Sequence, residues 1–193
     1  FEQGPWFADA SLTYGRNDNE SKRYIAGTRA KGDYDSQLWG LSLLGGYGID
    51  LGQGLLLEPR VAGRYSNVQI DSFREKGSSA ALATGEQRFE VGEIGAGVRL
   101  AGDFAAGQGR LEPEAKLMAY HDFIADQANS TSAFLVGGTP FVTNAAKPAR
   151  DSYEAGLGLT YRRGAASLGL SYDYLTKADY AADTVQARLR YDF

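Results

Sequence analysis

The residue types best suited to chemistry are few in this chain. His121 is the single histidine and cysteine is absent, so a multi-histidine or thiolate metal site, a thiolate nucleophile and a disulfide framework are all excluded. A catalytic triad would have to use His121, and no serine at a defined spacing completes one. The pair Glu112 and Glu114 shares a strand face, two residues apart, as acid–base chemistry could use. Arg110 and Lys116 on the same face make ion pairing the expected role instead. Asn129-Ser130-Thr131 matches a glycosylation sequon, and no glycine-rich phosphate loop is present. A net charge of −4 gives no general attraction to nucleic acid. No metal, cofactor or catalytic residue is expected, and His121 is expected to be structural or interfacial.

The elements that carry these residues read as strands. Thr184–Phe193 (TVQARLRYDF) alternates apolar or small residues with polar ones at a period of two, over the length of a tilted membrane-crossing strand. The same alternation recurs over Trp6–Arg16, Gln37–Ile49, Leu55 to about Phe73, Glu86–Phe104, Arg110–Asp122, Asp151–Arg162 and Ala165–Thr176, giving eight strands. In Glu86–Phe104 the apolar parity switches at Phe89 and Val91, which predicts a bulge or an extension beyond the membrane. No run reaches the roughly 18 apolar residues of a spanning helix, a test that is blind to barrels.

The connections alternate in length. Asp50–Gly54, Ala105–Gly109 and Arg163-Gly164 are short; Asn17–Asp35, Arg74–Gly85, Phe123–Arg150 and Lys177–Asp183 are mostly long, the first of them a loop or a hairpin standing clear of the membrane. Short periplasmic turns and long outer loops are the asymmetry of outer-membrane barrels. With the C-terminus in the periplasm, Tyr47, Phe104, Tyr161, Tyr191 and Phe193 fall at one membrane interface. Tyr14, Tyr65, Tyr153, Tyr172 and Tyr174 fall at the other. The expected fold is an all-β antiparallel transmembrane barrel of an outer membrane, in contact with its lipid.

The opposite parity assembles a charged lumen: Glu58, Arg60, Arg64, Glu93, Arg99, Arg110, Glu112, Glu114, Lys116, Glu154, Arg162, Asp173, Arg188 and Arg190. An Arg or Lys facing lipid near the midplane would cost about 2–4 kcal/mol, so these belong inside. Gly95, Gly97, Gly156, Gly158 and Gly169 on that parity leave room for bulky neighbours or a threaded polypeptide. Alternation alone leaves a plugged barrel and an open conduit equally available.

A series of landmarks runs through the chain: GGYGIDLGQGLLLEP (Gly45–Pro59), FREKG (Phe73–Gly77), IGAGVRL (Ile94–Leu100), LEPEAKLMAYHDF (Leu111–Phe123), YEAGLGLTY (Tyr153–Tyr161) and the terminal LRYDF. In that order they resemble the C-terminal β-domain, or translocator, of the type V autotransporters. Arg23–Tyr47 is similar to the corresponding part of autotransporters with a lipase or esterase passenger. The resemblance implies a Gram-negative outer-membrane barrel of twelve strands, a linker helix in its pore and export of an N-terminal passenger. It also implies that the last strand, with Tyr191 and Phe193, is read by the barrel-assembly machinery. Eight strands are legible and align with the family's last eight, so residues 1–193 are expected to form the barrel domain without its first strands and linker helix. The other readings are a stand-alone eight-stranded structural or adhesive barrel and an integral outer-membrane hydrolase using His121.

Overall fold

The structure is a computed structural model describing residues 1–25, 27–125, 127–145, 147–178 and 180–192. All regular structure among them is strand. Eight long strands form an antiparallel meander: β1 (Trp6–Ile25), β2 (Thr28–Tyr47), β3 (Leu55–Ile70), β4 (Gln87–Gly102), β5 (Gly109–Asp122), β6 (Asp151–Arg163), β7 (Ala166–Lys177) and β8 (Tyr180–Tyr191). Each pairs with its sequence neighbours, as the short connections dictate.

Strict alternation divides the sheet into two faces. One row of paired residues reads Leu57, Leu100, Ala115, Leu157, Tyr172 and Val185 across β3 to β8. The next row reads Glu58, Arg99, Lys116, Gly156, Asp173 and Thr184. The first face stays bare: Leu117, Leu157 and Leu168 are 60%, 63% and 59% exposed, among many other large apolar residues. An apolar surface spanning eight strands is far larger than a water-soluble protein exposes, so this face belongs in hydrocarbon.

The charged face is concave. Arg64 on β3 reaches Glu154 on β6 at 2.6 Å, and Lys177 on β7 reaches Glu93 on β4 at 3.2 Å. Three strand spacings in a flat sheet amount to roughly 14 Å, so only a curled sheet closes both bridges. The curl does not complete a ring among the described residues. β8 pairs with β7 alone, and β1 pairs with β2 and, at its other edge, only with the two-residue strand Glu2–Gln3. That short strand returns through a tight turn at Gly4-Pro5, with Gly4 at φ +60° where a two-residue hairpin needs a left-handed residue. Phe1 extends it, its carbonyl accepting from Ala8 N–H at 2.8 Å.

Several boundaries differ from the sequence expectation. Asn17–Asp35 is the hairpin rather than the loop, since β1 and β2 pair without interruption from Trp6↔Tyr47 to Ile25↔Thr28. β3 and β4 keep one register throughout, so Phe89 and Val91 mark an extension and not a bulge. The expected loop Lys177–Asp183 is mostly strand, with β7 reaching Lys177 and β8 starting at Tyr180. The expected loops Arg74–Gly85 and Phe123–Arg150 contribute to a second, four-stranded sheet ordered 141–144, 129–134, 82–84, 73–74.

Candidate functional site

The concave face concentrates the charges. Glu58 and Glu93 are each only 8% exposed, and a carboxylate so buried must be paired to stay ionised. Arg60 and Arg99 donate to Glu58 at 2.5 and 3.1 Å, and Arg99 also donates to Glu114 at 2.6 Å, so the chain Arg60–Glu58–Arg99–Glu114 staples β3, β4 and β5. Lys116 and Asp173 pair at 2.6 Å. Arg64 binds Glu154, donates to the Tyr120 hydroxyl at 2.7 Å and lies 4.0 Å over that ring, a cation–π contact.

Glycines make these contacts possible. A Cβ on Gly95 would stand 2.3 Å from the Tyr120 ring, and one on Gly158 would stand 2.6 Å from Glu114 Cγ. The expected thin wall is therefore partly filled by its neighbours. Ala62, Met118 and Tyr120 form a small apolar cluster on this charged face, with Leu44 against it. Lys177, the partner of Glu93, was missed because its position read as loop; strand parity would have found it.

The remaining charges lie toward the short-turn end. Arg110 pairs with Asp103 at 2.6 Å, Arg162 with Glu112 at 3.4 Å and Arg190 with Asp192 at 2.7 Å, all exposed but for the half-buried Glu112. Arg188 is exposed on β8 and makes no ion pair among the described residues.

The expected interface aromatics sit on the apolar face. At the short-turn end Tyr47 packs edge-on against Trp6 with ring centres 4.8 Å apart, Phe104 lies over Gly102, and Tyr161 lies over Gly109. Tyr191 is on this face, whereas Phe193 lies outside the described residues. At the long-loop end Tyr14 contacts Trp39 at 4.5 Å, Tyr65 donates to Glu90 at 3.0 Å, and the Tyr172 hydroxyl binds Asp183. Tyr153 and Tyr174 stand nearby, exposed. Trp6 and Trp39 join these groups, packed against Tyr47 and Tyr14.

At the long-loop end the second sheet is tied to the β1–β2 hairpin. Arg23 grips Glu75 with two hydrogen bonds of 2.6 and 3.2 Å and also donates to the Ala80 carbonyl. Lys31 and Lys76 exchange backbone hydrogen bonds, and Tyr34 stacks on Phe73 at 4.6 Å. Arg23 and Tyr34 share the strand parity of the concave face, so this assembly packs on the inner side of the hairpin. The Arg23 hydrogen bond holds the Glu75 carboxyl below its ordinary range, against the opposing effect of burial and helped by the Leu82 N–H.

His121 lies on the apolar parity at the end of β5. Its Nδ1 is 2.8 Å from Asp151 Oδ1, and its ring meets Phe123 edge-on. The pair is exposed, and no hydroxyl is hydrogen-bonded to the other ring nitrogen among the described residues. Among those residues no three His, Asp or Glu side chains converge on a metal position.

A curled sheet, apolar outside and ion-paired inside, is the architecture of a membrane barrel wall, and comparison with known families agrees. The model of the autotransporter beta-domain matches residues 1–174. The chain belongs to the autotransporter β-domain family. This β-domain is thus an outer-membrane translocator domain. It is 25% identical over 198 residues to outer membrane protein A of Rickettsia conorii, covering 97% of this chain and 10% of that protein. It is 36% identical over 115 residues to esterase EstA of Pseudomonas aeruginosa, covering 55% of this chain and 18% of that protein. The solved translocator domain of autotransporter NalP from Neisseria meningitidis superposes with a TM-score of 0.70 at 22% identity, covering all of this chain and 62% of that one. The β-domain therefore spans a small fraction of the length of these curated relatives.

Proposed function

We propose that this β-domain forms the larger part of the wall of an export pore, the last eight strands of a twelve-stranded barrel, through which an N-terminal passenger reaches the cell surface. The observation that carries this reading is the open curl: a concave, polar, ion-paired face lined by β1 to β8, in which, among the described residues, β8 has no partner on its outer edge and β1 is paired there only at its start. The long-loop end faces outward, and the short turns and C-terminus face the periplasm, in keeping with the length asymmetry of barrel connections. The fourteen charged positions of the inner row form its polar lining, the aromatic groups at its two ends mark the membrane interfaces, and outer-membrane lipid covers the apolar face.

The residues around Gly4-Pro5 favour this reading over a stand-alone eight-stranded barrel. The turn has the tightness of the other short-turn connections and starts a further strand along β1, which an eight-stranded closure would require β8 to occupy. Likeness to esterase EstA supports an esterase-type passenger, the function in that name belonging to that protein. A hydrolase built on His121 is the weaker alternative: Asp151 engages its Nδ1 as a triad carboxylate would, but no nucleophile stands at its other nitrogen among the described residues.

The barrel-assembly machinery is the proposed reader of Tyr191 and Phe193. Deleting Phe193 from the full-length protein should reduce its outer-membrane insertion and the protease-accessible passenger on intact cells. Insertion and display at the normal level would remove that assignment.

A further inference from the structure

The wall reverses its polarity where it leaves the membrane. Beyond the level of Tyr14 and Tyr65, the outward row of paired residues is polar: Arg16, Gln37, Gln69 and Arg88 across β1 to β4. The adjacent row, on the concave side, is Gly15, Leu38, Val68 and Phe89, and Val91 shares that side. Water meets the outside of the wall here, so the apolar side chains turn inward. They form an apolar collar inside the outer mouth of a pore whose deeper lining is charged. Leu38, Val68, Phe89 and Val91 are each partly buried. A contiguous apolar strip in a water-filled mouth marks a surface that another element covers.

The second sheet carries a matching face. Phe73, Thr84, Ser132 and Phe141 form one paired row across it, and Leu82 and Phe134 form the next row on the same face. Phe73 seats that face on the inner side of the hairpin. Its ring stacks on Tyr34, and a Cβ on Gly32 would stand 2.6 Å from it. Ala30, the paired neighbour of Arg23, is fully buried. The far strand, Phe141–Asn144, lies three strand spacings from the seated one, roughly 14 Å. The seat itself is small. It combines the Arg23–Glu75 ion pair, the Lys31–Lys76 backbone pair, a Thr28–Ser78 hydrogen bond and the Tyr34–Phe73 stack. Such a set can release while the membrane strands stay paired.

We propose that the second sheet is a shutter for the outer mouth of the pore. Latched at Arg23–Glu75, it lies across the mouth with Leu82, Phe134 and Phe141 turned toward the collar of Leu38, Val68, Phe89 and Val91. It swings outward to let the passenger through and restricts the opening afterwards. This rests on the export-pore reading and adds to it a moving part that the wall alone does not supply.

The test records ion conductance of the full-length protein in planar bilayers, beside protease-accessible passenger on intact cells. Arg23→Ala with Glu75→Ala should raise the mean conductance several-fold, and Phe89→Ser with Val91→Ser should raise it as well. Adding a Tyr34→Cys to Phe73→Cys disulfide to the latch variant should return it to the wild-type level until a reductant is applied. Resistance to alkaline carbonate extraction shows that each variant still spans the bilayer. Unchanged conductance in the latch variant, or a disulfide that leaves its raised conductance in place, would overturn the shutter. Unchanged conductance in the Phe89→Ser and Val91→Ser variant would overturn the collar as its seat. A wild-type protein that displays no passenger at the cell surface would instead contradict the export reading itself.

Discussion

Lys116 on β5 reaches Asp173 on β7 at 2.6 Å by passing over Gly156 on the strand between them. A Cβ at Gly156 would stand 2.3 Å from Lys116 Cε and 2.6 Å from Asp173 Oδ1. The glycine and the bridge are one device, and a β-branched residue there must displace it. Gly156→Val should destabilise the folded barrel by about 1–3 kcal/mol, the range for overpacking. Shortening the obstructing side chain with Lys116→Ala should recover part of that loss. Denaturant unfolding in vesicles reads both, and a Gly156→Val variant as stable as wild type would contradict this account of the glycine.

Neighbouring positions on β7 test which face meets lipid. Leu170 is 59% exposed on the apolar face, while Ser171 lines the recess beside Lys116 and Arg188. Leu170→Arg should cost about 2–4 kcal/mol, as expected of an arginine near the bilayer midplane. Ser171→Arg, one residue on, should cost much less. Equal effects in membrane-inserted protein would refute the assignment of faces.

Glu75 provides a pH-dependent contact outside the membrane-spanning strands. Its folded pKa lies below the ordinary value of 4.5, chiefly through the hydrogen bond from Arg23. The stability it contributes is therefore fully present above that ordinary value and is lost as pH falls through the depressed one. Hydrogen exchange at residues 73–84 should stay slow at neutral pH and accelerate in that acid range, and Glu75→Gln should show faster exchange at neutral pH. Equal protection in Glu75→Gln and wild type would exclude the contact as a lock.

Much of the main sheet was legible in the sequence because one physical constraint, lipid on one side and polar surroundings on the other, acts on every residue. Leu157 against Gly156 and Gly158, or Leu189 against Arg188 and Arg190, states the two faces directly. That constraint stops where the strands leave the membrane. Ser21, Arg23 and Lys31 are polar because the hairpin meets water and the second sheet rather than lipid, so composition leaves a loop and a hairpin both open, and the backbone pairing is that of a hairpin. The strand Asn129–Phe134 is found through its partners Leu82–Thr84 and Phe141–Asn144, a long-range pairing that local alternation does not encode. Among the charges, parity placed residues on a face without their partners. Arg64 with Glu154 and Lys177 with Glu93 depend on the curl of the sheet, which belongs to no single strand.

The central claim, that β1 and β8 are separated by further strands of a wider pore, is tested most directly by disulfide scanning in the membrane. Residues 1–193 contain no cysteine. Continuing the register Glu2↔Phe7 and Gln3↔Trp6 places the fourth residue upstream of Phe1 opposite Leu12. In the full-length protein, Leu12→Cys should form a disulfide with a cysteine at that upstream position. It should form none with Val185→Cys, Ala187→Cys or Leu189→Cys on β8. A disulfide between Leu12→Cys and any of those three, in protein inserted in the outer membrane, would mean that the eight strands close on themselves and would contradict the wider pore.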